Sequence, residues 1–207
     1  MGRHPSRTRQ EVIDVALELV ERLGLEALTL RDLGAALGVG HTSVYTHFKD
    51  KQDLVDALVA HAASDVVTPR LSEGLGPRSR LCDLALRSRL VFAKHPRLAP
   101  ALLHASGRVH ASHELSRAIL TELAQSGLSG RRLIIAYRIL ENYITGTSIF
   151  DFGGAPHHLS TRMARQQAVD PTSFESIATE DDVDALNEEA YMTGFEVLLD
   201  GFGVHDS

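Results

Sequence analysis

The stretch that decides the fold is GVGHTSVYTHFKDK, from Gly38 to Lys51. A glycine-containing turn is followed by short hydrogen-bonding side chains at positions 41–43 and 45–47. A helix that needs only to be soluble usually carries Glu and Lys, which combine good helix propensity with strong hydration. Short polar side chains instead let a helix backbone come close to another polar surface. The stretch therefore raises the possibility of a recognition helix.

Capping signals divide the surrounding chain into helices. Thr8 with Glu11, and Thr29 with Asp32, have the spacing of capping boxes, and Asp50 is placed to cap a later helix. Apolar residues recur at helical spacing after each cap, which predicts an inward face for every helix. The predicted inward residues are Val12, Ile13, Ala16, Leu17, Val20, Leu30, Leu33, Leu37, Val44, Phe48, Leu54, Val55, Leu58 and Val59.

A helix, a short turn and a second helix form a helix-turn-helix, whose second helix lies in the major groove of DNA. Short polar side chains suit contact with base edges, while Tyr and Lys at the margins reach phosphates. The composition alone fits equally well a solvated helix that is rich in Ser, Thr and His. An isolated helix-turn-helix pattern is a weak signal, and both interpretations stay open on composition.

The segment from Val12 to Leu58 resembles the DNA-binding domain of the tetracycline-repressor (TetR) family over its whole length. The helix-one stripe, the GLEALTLRDL link, the LGV turn, the VYTHF helix and the following KDK all fall at the family's spacing. The resemblance implies an all-α fold, with a three-helix helix-turn-helix domain at 1–60 and a helical ligand-binding and dimerisation domain at 61–207. It also implies a homodimer that binds a palindromic double-stranded DNA operator, usually as a repressor, and is released by a small-molecule effector.

The resemblance assigns DNA-binding roles to individual residues. The implied base readers and phosphate contacts are Arg31, His41, Thr42, Ser43, Tyr45, His47 and Lys51. Arg31 is implied for either kind of contact, His41 and Thr42 for bases, and the others for phosphates. Arg31 could instead pair with a neighbouring acid, and His47 could simply cover the helix end. Gly40 departs from the family pattern, which often has a polar residue there, so one contact could be missing.

Two long helices are predicted after residue 128, from Ser129 to about Phe150 and from about Glu180 to Phe202. In the family such helices pair with their copies across a dimer interface. The interface residues implied here are Ile144, Leu186, Phe195, Leu198 and Phe202. Gly194 would allow a close approach to a neighbouring element. The alternative is that both helices merely fill the core of a monomer.

A ligand pocket is implied between the middle helices and should be mainly apolar, so an apolar or amphipathic effector is expected. The candidate lining residues are Leu84, Phe92, Leu103, His104, Tyr137, Leu140 and Tyr143. Core packing is an alternative role for each of them. The long segment 151–178 could cover a ligand entrance or simply form surface.

Composition limits the remaining function classes. Cys82 is the only cysteine among 207 residues, which excludes an internal disulfide and favours a reducing cytoplasm. The net charge of −6 argues against wholesale binding of nucleic acid, yet residues 1–51 are balanced and carry clustered arginines at their start. No long apolar run predicts a membrane span or an export signal. Catalytic motifs are missing, and the eleven histidines lack the spacing of a metal site, so we expect no enzyme activity, cofactor or metal. The alternative interpretation of the whole chain is a helical carrier or enzyme that does not regulate transcription.

Overall fold

A computed structural model describes residues 7–67, 74–101, 110–152, 158–172 and 180–206. Every regular element in these ranges is helical, as the sequence predicted. The helices are α1 (Arg9–Leu23), α2 (Leu30–Ala36), α3 (His41–Val44), α4 (Lys51–Val67), α5 (Pro77–Lys94), α6 (His110–Gln125), α7 (Gly130–Phe152), α8 (His158–Val169) and α9 (Glu180–Phe202), with a 3₁₀ turn at Pro96–Leu98. No helix of these residues is long and apolar enough to cross a membrane.

The chain forms two compact units. The first contains Met1–Arg70 and Leu90–Ala118, and the second contains Leu71–Arg89 and Ile119–Ser207. Helix α4 runs through residue 60 without a break, and a segment after residue 90 returns to the first unit. The predicted division into a DNA-binding domain at 1–60 and a ligand-binding and dimerisation domain at 61–207 stays a prediction.

The helices of the first unit begin where the capping signals predicted. Thr8 Oγ1 accepts a hydrogen bond from the Glu11 amide at 3.2 Å, and Glu11 Oε2 accepts one from the Thr8 amide at 2.7 Å. Thr29 and Asp32 form the same reciprocal pair at the start of α2. The Asp50 carboxylate accepts from the amide of Asp53 at 2.8 Å, in the first turn of α4. Side chains thus satisfy amides that a helix start would leave unpaired.

The core of the first unit is built from the apolar faces of α1 to α4, and all of the predicted inward residues are buried in it. Leu98 and Ala101 belong to the same core, although they lie far along the chain. Leu98 is the last residue of the 3₁₀ turn that begins at Pro96. Residues 102–104 lie outside the described ranges.

Helices α7 and α9 of the second unit pack antiparallel. The Tyr143 hydroxyl in the middle of α7 donates to the Tyr191 carbonyl oxygen of α9 at 2.8 Å. Arg132, near the start of α7, donates to the Phe202 carbonyl oxygen at the end of α9 at 3.0 Å. A methyl group added at Gly194 would overlap the Tyr143 hydroxyl, so the close approach predicted for this glycine is confirmed.

A buried ion pair joins α5 to α7. Arg89 donates to the Asp151 carboxylate at 2.7 Å, and both side chains are at most 10% exposed. The guanidinium also lies over the rings of Phe152 and Tyr191, at 5.0 and 5.2 Å from their centroids. The Tyr191 hydroxyl donates to the Ala85 carbonyl oxygen at 3.0 Å, and burial raises the pKa of this phenol, which keeps it a neutral donor. The polar groups of this cluster therefore have partners although they are out of water.

We predict that Gly194→Ala destabilises the second unit. Overpacking against Tyr143 should cost about 1–3 kcal/mol, which exceeds the roughly 1 kcal/mol by which Ala favours a helix over Gly. Urea unfolding at one fixed protein concentration measures the difference in the free energy of unfolding.

The controls for this prediction are Tyr143→Phe and the double variant with Gly194→Ala and Tyr143→Phe, since both lack the Tyr143 hydroxyl. Without that hydroxyl, the nearest side-chain atom to the new methyl group is Tyr143 Cζ, at 3.1 Å. Tyr143→Phe should therefore lose less stability in the Gly194→Ala background than in the wild type. Strictly additive effects would show that the overlap is not the cause.

Candidate nucleic-acid interface

The recognition segment consists of α3 and the turn that follows it. The Val39 amide donates to the Gly34 carbonyl oxygen at 3.0 Å, which binds the turn between the two helices to α2. Gly38 adopts a φ of +67°, a conformation that glycine accepts without strain. Beyond α3, the amides of His47 and Phe48 both donate to the Val44 carbonyl oxygen, at 2.9 and 3.1 Å. The helical path therefore continues to Phe48.

Two apolar anchors fix which face of this segment points outward. Val44 and Phe48 are 1% and 0% exposed, and they lie four residues apart on the inner face. Thr42, Ser43 and Tyr45 are exposed as a result, Tyr45 at 54%. The structure thus places these predicted contacts together on one outward surface.

The remaining predicted DNA contacts include His47 of the recognition segment, Arg31 of α2 and His41 of α3. His47 is half-buried, with its ring beside Phe48 at 6.5 Å between centroids. Arg31 is exposed in the first turn of α2. His41 begins α3, and its side chain lies outside the described residues.

Lys51 is held in place by a contact that the sequence did not reveal. Its ammonium donates to the Glu26 carbonyl oxygen at 2.7 Å, which links the start of α4 to the connection between α1 and α2. An ammonium carries three donors, so two remain for other acceptors. The bond limits the motion of a long side chain and keeps its charge at the start of α4.

The N-terminal end of α1 also adjoins the recognition segment. The Arg9 guanidinium lies 4.8 Å from the centroid of the Phe48 ring. A cleft of about 510 Å³ lies between this end of α1, the α2–α3 turn and the recognition segment. It is lined by Arg7, Val12, Leu37, Gly38, Val39, Gly40, Ser43, Val44, Thr46 and His47. Sequence reasoning did not include Arg7 or Thr46 in the site, although the arginine cluster at the start of the chain was a signal.

The predicted ligand residues that the structure describes belong to both units. Leu84 and Leu140 are buried in the second unit, whereas Phe92 is buried in the first. Tyr137 donates to the Glu141 carboxylate at 2.7 Å. Tyr143 belongs to the contact between α7 and α9. Leu103 and His104 lie outside the described residues, so the pocket stays a prediction.

The predicted interface residues differ in exposure. Ile144 and Phe195 are 6% and 1% exposed, so they are buried within a single chain. Leu198 and Phe202 are half-buried, and Leu186 is 37% exposed. Among the described residues, no three His, Cys, Asp or Glu side chains are grouped so that they could hold a metal ion.

Comparisons with known proteins agree with this geometry. Residues 12–58 match the family described as bacterial regulatory proteins, tetR family. The HTH-type transcriptional repressor Rv1353c of Mycobacterium tuberculosis H37Rv is 28% identical over 210 residues, which cover 94% of this chain and 79% of that protein.

Two solved structures have the same fold. The TetR regulator SCO7222 of Streptomyces coelicolor aligns with a TM-score of 0.76 at 21% identity, over 97% of this chain and 100% of that one. A single-residue variant of TetR from Acinetobacter baumannii AYE, solved in complex with minocycline, aligns with a TM-score of 0.67 at 24% identity, over 97% and 99% of the two chains. These structures show the fold. The family match and the mycobacterial repressor, together with the outward polar face of the helix-turn-helix, show that residues 12–58 carry the DNA-binding domain of the tetR family and that the chain is a DNA-binding transcriptional regulator.

Proposed function

We propose that this regulator is a cytoplasmic repressor that binds a palindromic operator as a homodimer and leaves it when a small molecule binds. The observation that carries the proposal is the recognition segment, whose outward face presents Thr42, Ser43 and Tyr45 above the buried Val44 and Phe48. Repression is supported by the mycobacterial relative Rv1353c, which is named a transcriptional repressor. The proposal includes no catalytic step.

The side chains of the segment fall into two proposed roles. Thr42, next to His41 at the start of α3, is short enough to bring the backbone close to base edges in the major groove. Tyr45 and Lys51 are longer and contact the phosphates beside the groove, with Ser43 and His47. Arg31 contacts a base or a phosphate from the first turn of α2. Base contacts specify the sequence, and phosphate contacts set position and most of the salt-dependent affinity.

We predict that Lys51→Ala and Thr42→Ala affect DNA binding in different ways. Loss of the Lys51 charge should weaken binding to all sequences alike and reduce the salt slope by about 1, because one phosphate contact releases about one counterion. Thr42→Ala should leave the slope unchanged and relax the preference at one or two base pairs. Fluorescence anisotropy over a salt series, after selection of binding sites from random duplexes, measures both.

A charge-matched control is Lys94→Ala, which removes a lysine outside the recognition segment. It should bind with the wild-type slope. If selection recovers no inverted repeat, operator reading is refuted and the helical carrier or enzyme becomes the better explanation.

Homodimerisation is supported by an apolar face that one chain leaves exposed. Ile139 and Phe150 of α7 are 37% and 54% exposed, and Leu186 and Val197 of α9 are 37% and 62% exposed. The two residues of each pair are eleven positions apart, which is about three helical turns, so each pair lies on one side of its helix. We assign the dimer contact to this face, in place of Ile144 and Phe195, because those two side chains already fill the core of the single chain.

We predict that Val197→Glu produces monomers. A carboxylate at the centre of an apolar interface loses its water without gaining a partner, which opposes association. Sedimentation equilibrium at micromolar concentration measures the mass, and the anisotropy assay should show loss of palindrome binding in parallel. Val169→Glu is the matched control, since Val169 on α8 is 83% exposed and outside the face. A dimeric Val197→Glu variant would refute this assignment.

Effector release is supported by the minocycline complex of the Acinetobacter relative. For this chain we predict that apolar or amphipathic compounds that raise the melting temperature also lower operator affinity. The ligand must bind the DNA-free state more tightly, because equal affinity for both states shifts no equilibrium. A thermal-shift screen followed by anisotropy tests this. Stabilising compounds that leave operator affinity unchanged would contradict it.

A further inference from the structure

The cleft beside the recognition segment combines a cation with hydrogen-bonding side chains that the proposed interface already uses. Arg7 lines it from the residues before α1, while Ser43 and His47 line it from the recognition segment. A guanidinium and a hydroxyl are groups that bind phosphate oxygens in protein–DNA complexes. The volume of about 510 Å³ leaves room for a backbone phosphate to enter.

Arg7 can leave its present contact at little cost. Its guanidinium lies 3.7 Å from the Glu11 carboxylate, and the two side chains are 46% and 49% exposed. Exposed ion pairs of this kind contribute little to stability. Glu11 itself is held by the capping box, where the hydrogen bond from the Thr8 amide is the main cause of its lowered pKa, with a smaller contribution from Arg7. The carboxylate thus has other partners when Arg7 turns away.

The start of α1 is also fixed against the recognition segment. Arg9 lies over the Phe48 ring, and Phe48 is fully buried. This contact sits two residues from Arg7, so Arg7 and Thr8 lie beside the recognition segment. An arginine at that place reaches outward next to Ser43 and His47 instead of trailing away from the interface.

We propose that Arg7 and this cleft form an additional phosphate-binding site, which holds a DNA backbone phosphate at the α1 side of the recognition segment. The inference rests on the proposed operator binding and adds a contact to it. Because a phosphate carries no base identity, the site contributes affinity and salt dependence without changing the preferred sequence.

Arg7→Gln in the full-length protein tests the site. The slope of log K against log salt concentration should become shallower by about 0.9, the value for one phosphate contact on duplex DNA. The selected operator sequence should stay the same. Arg7→Lys keeps the charge and should keep the slope. Arg22→Gln, at the exposed far end of α1, is the matched control and should match the wild type.

A second measurement identifies the phosphate. Single neutral methylphosphonate linkages are placed along the operator, and the loss of affinity is measured for the wild type and for Arg7→Gln. At one linkage per half-site the wild type should lose affinity and the variant should lose much less. The inference fails if Lys51→Ala lowers the salt slope as expected but Arg7→Gln keeps the wild-type slope. It also fails if every methylphosphonate linkage reduces the affinity of Arg7→Gln as much as that of the wild type. Failure of every variant and the wild type to bind would refute the operator proposal itself.

Discussion

The interface depends on the burial of two side chains, Val44 and Phe48. Nucleating a helical turn costs roughly 4 kcal/mol, given a nucleation constant of about 0.001, so a helix of four residues does not form alone. Full burial of two such apolar side chains supplies about 3–6 kcal/mol, enough to offset that cost. The same burial turns Thr42, Ser43 and Tyr45 to the outside. One packing contact therefore creates both the helix and its orientation.

Two contacts of positively charged side chains then connect the recognition segment and α4 to the neighbouring parts of the domain. Lys51 donates to the Glu26 carbonyl oxygen and so joins the start of α4 to the connection between α1 and α2. Arg9 lies over the Phe48 ring and so joins the start of α1 to the recognition segment. Each contact leaves hydrogen-bond donors of the charged group available: the Lys51 ammonium has two more donors, and the Arg9 guanidinium contacts the face of the ring. In the proposed DNA complex Lys51 has therefore lost side-chain freedom before DNA arrives, and less ordering is required on binding.

The second unit is organised by buried polar groups as well as by apolar contacts. Removing one member of the Arg89–Asp151 pair would leave an unpaired charge out of water, which is strongly destabilising, although such a pair adds little net stability over apolar residues. Its effect is to specify how α5 and α7 pack. Gly194 has a similar effect, because only a residue without a side chain lets α9 approach the Tyr143 hydroxyl. Ile139 and Phe150 of α7 and Leu186 and Val197 of α9 remain exposed large apolar residues.

The sequence by itself determined the helix starts, the inward faces of α1 to α4 and the recognition segment. Capping boxes and helical periodicity act over three or four residues, so their physical causes are readable within a short window. Thr8, Thr29 and Asp50 show this directly. The sequence could not decide which apolar residues of the long helices face their own chain, since Ile139 and Ile144 are equally apolar and only the position of neighbouring helices separates them. It also could not place Leu98 in the first core, bring Arg7 and Ser43 to one cleft, or bring Lys51 to Glu26, because these residues are distant in the chain and come together only once the helices have packed.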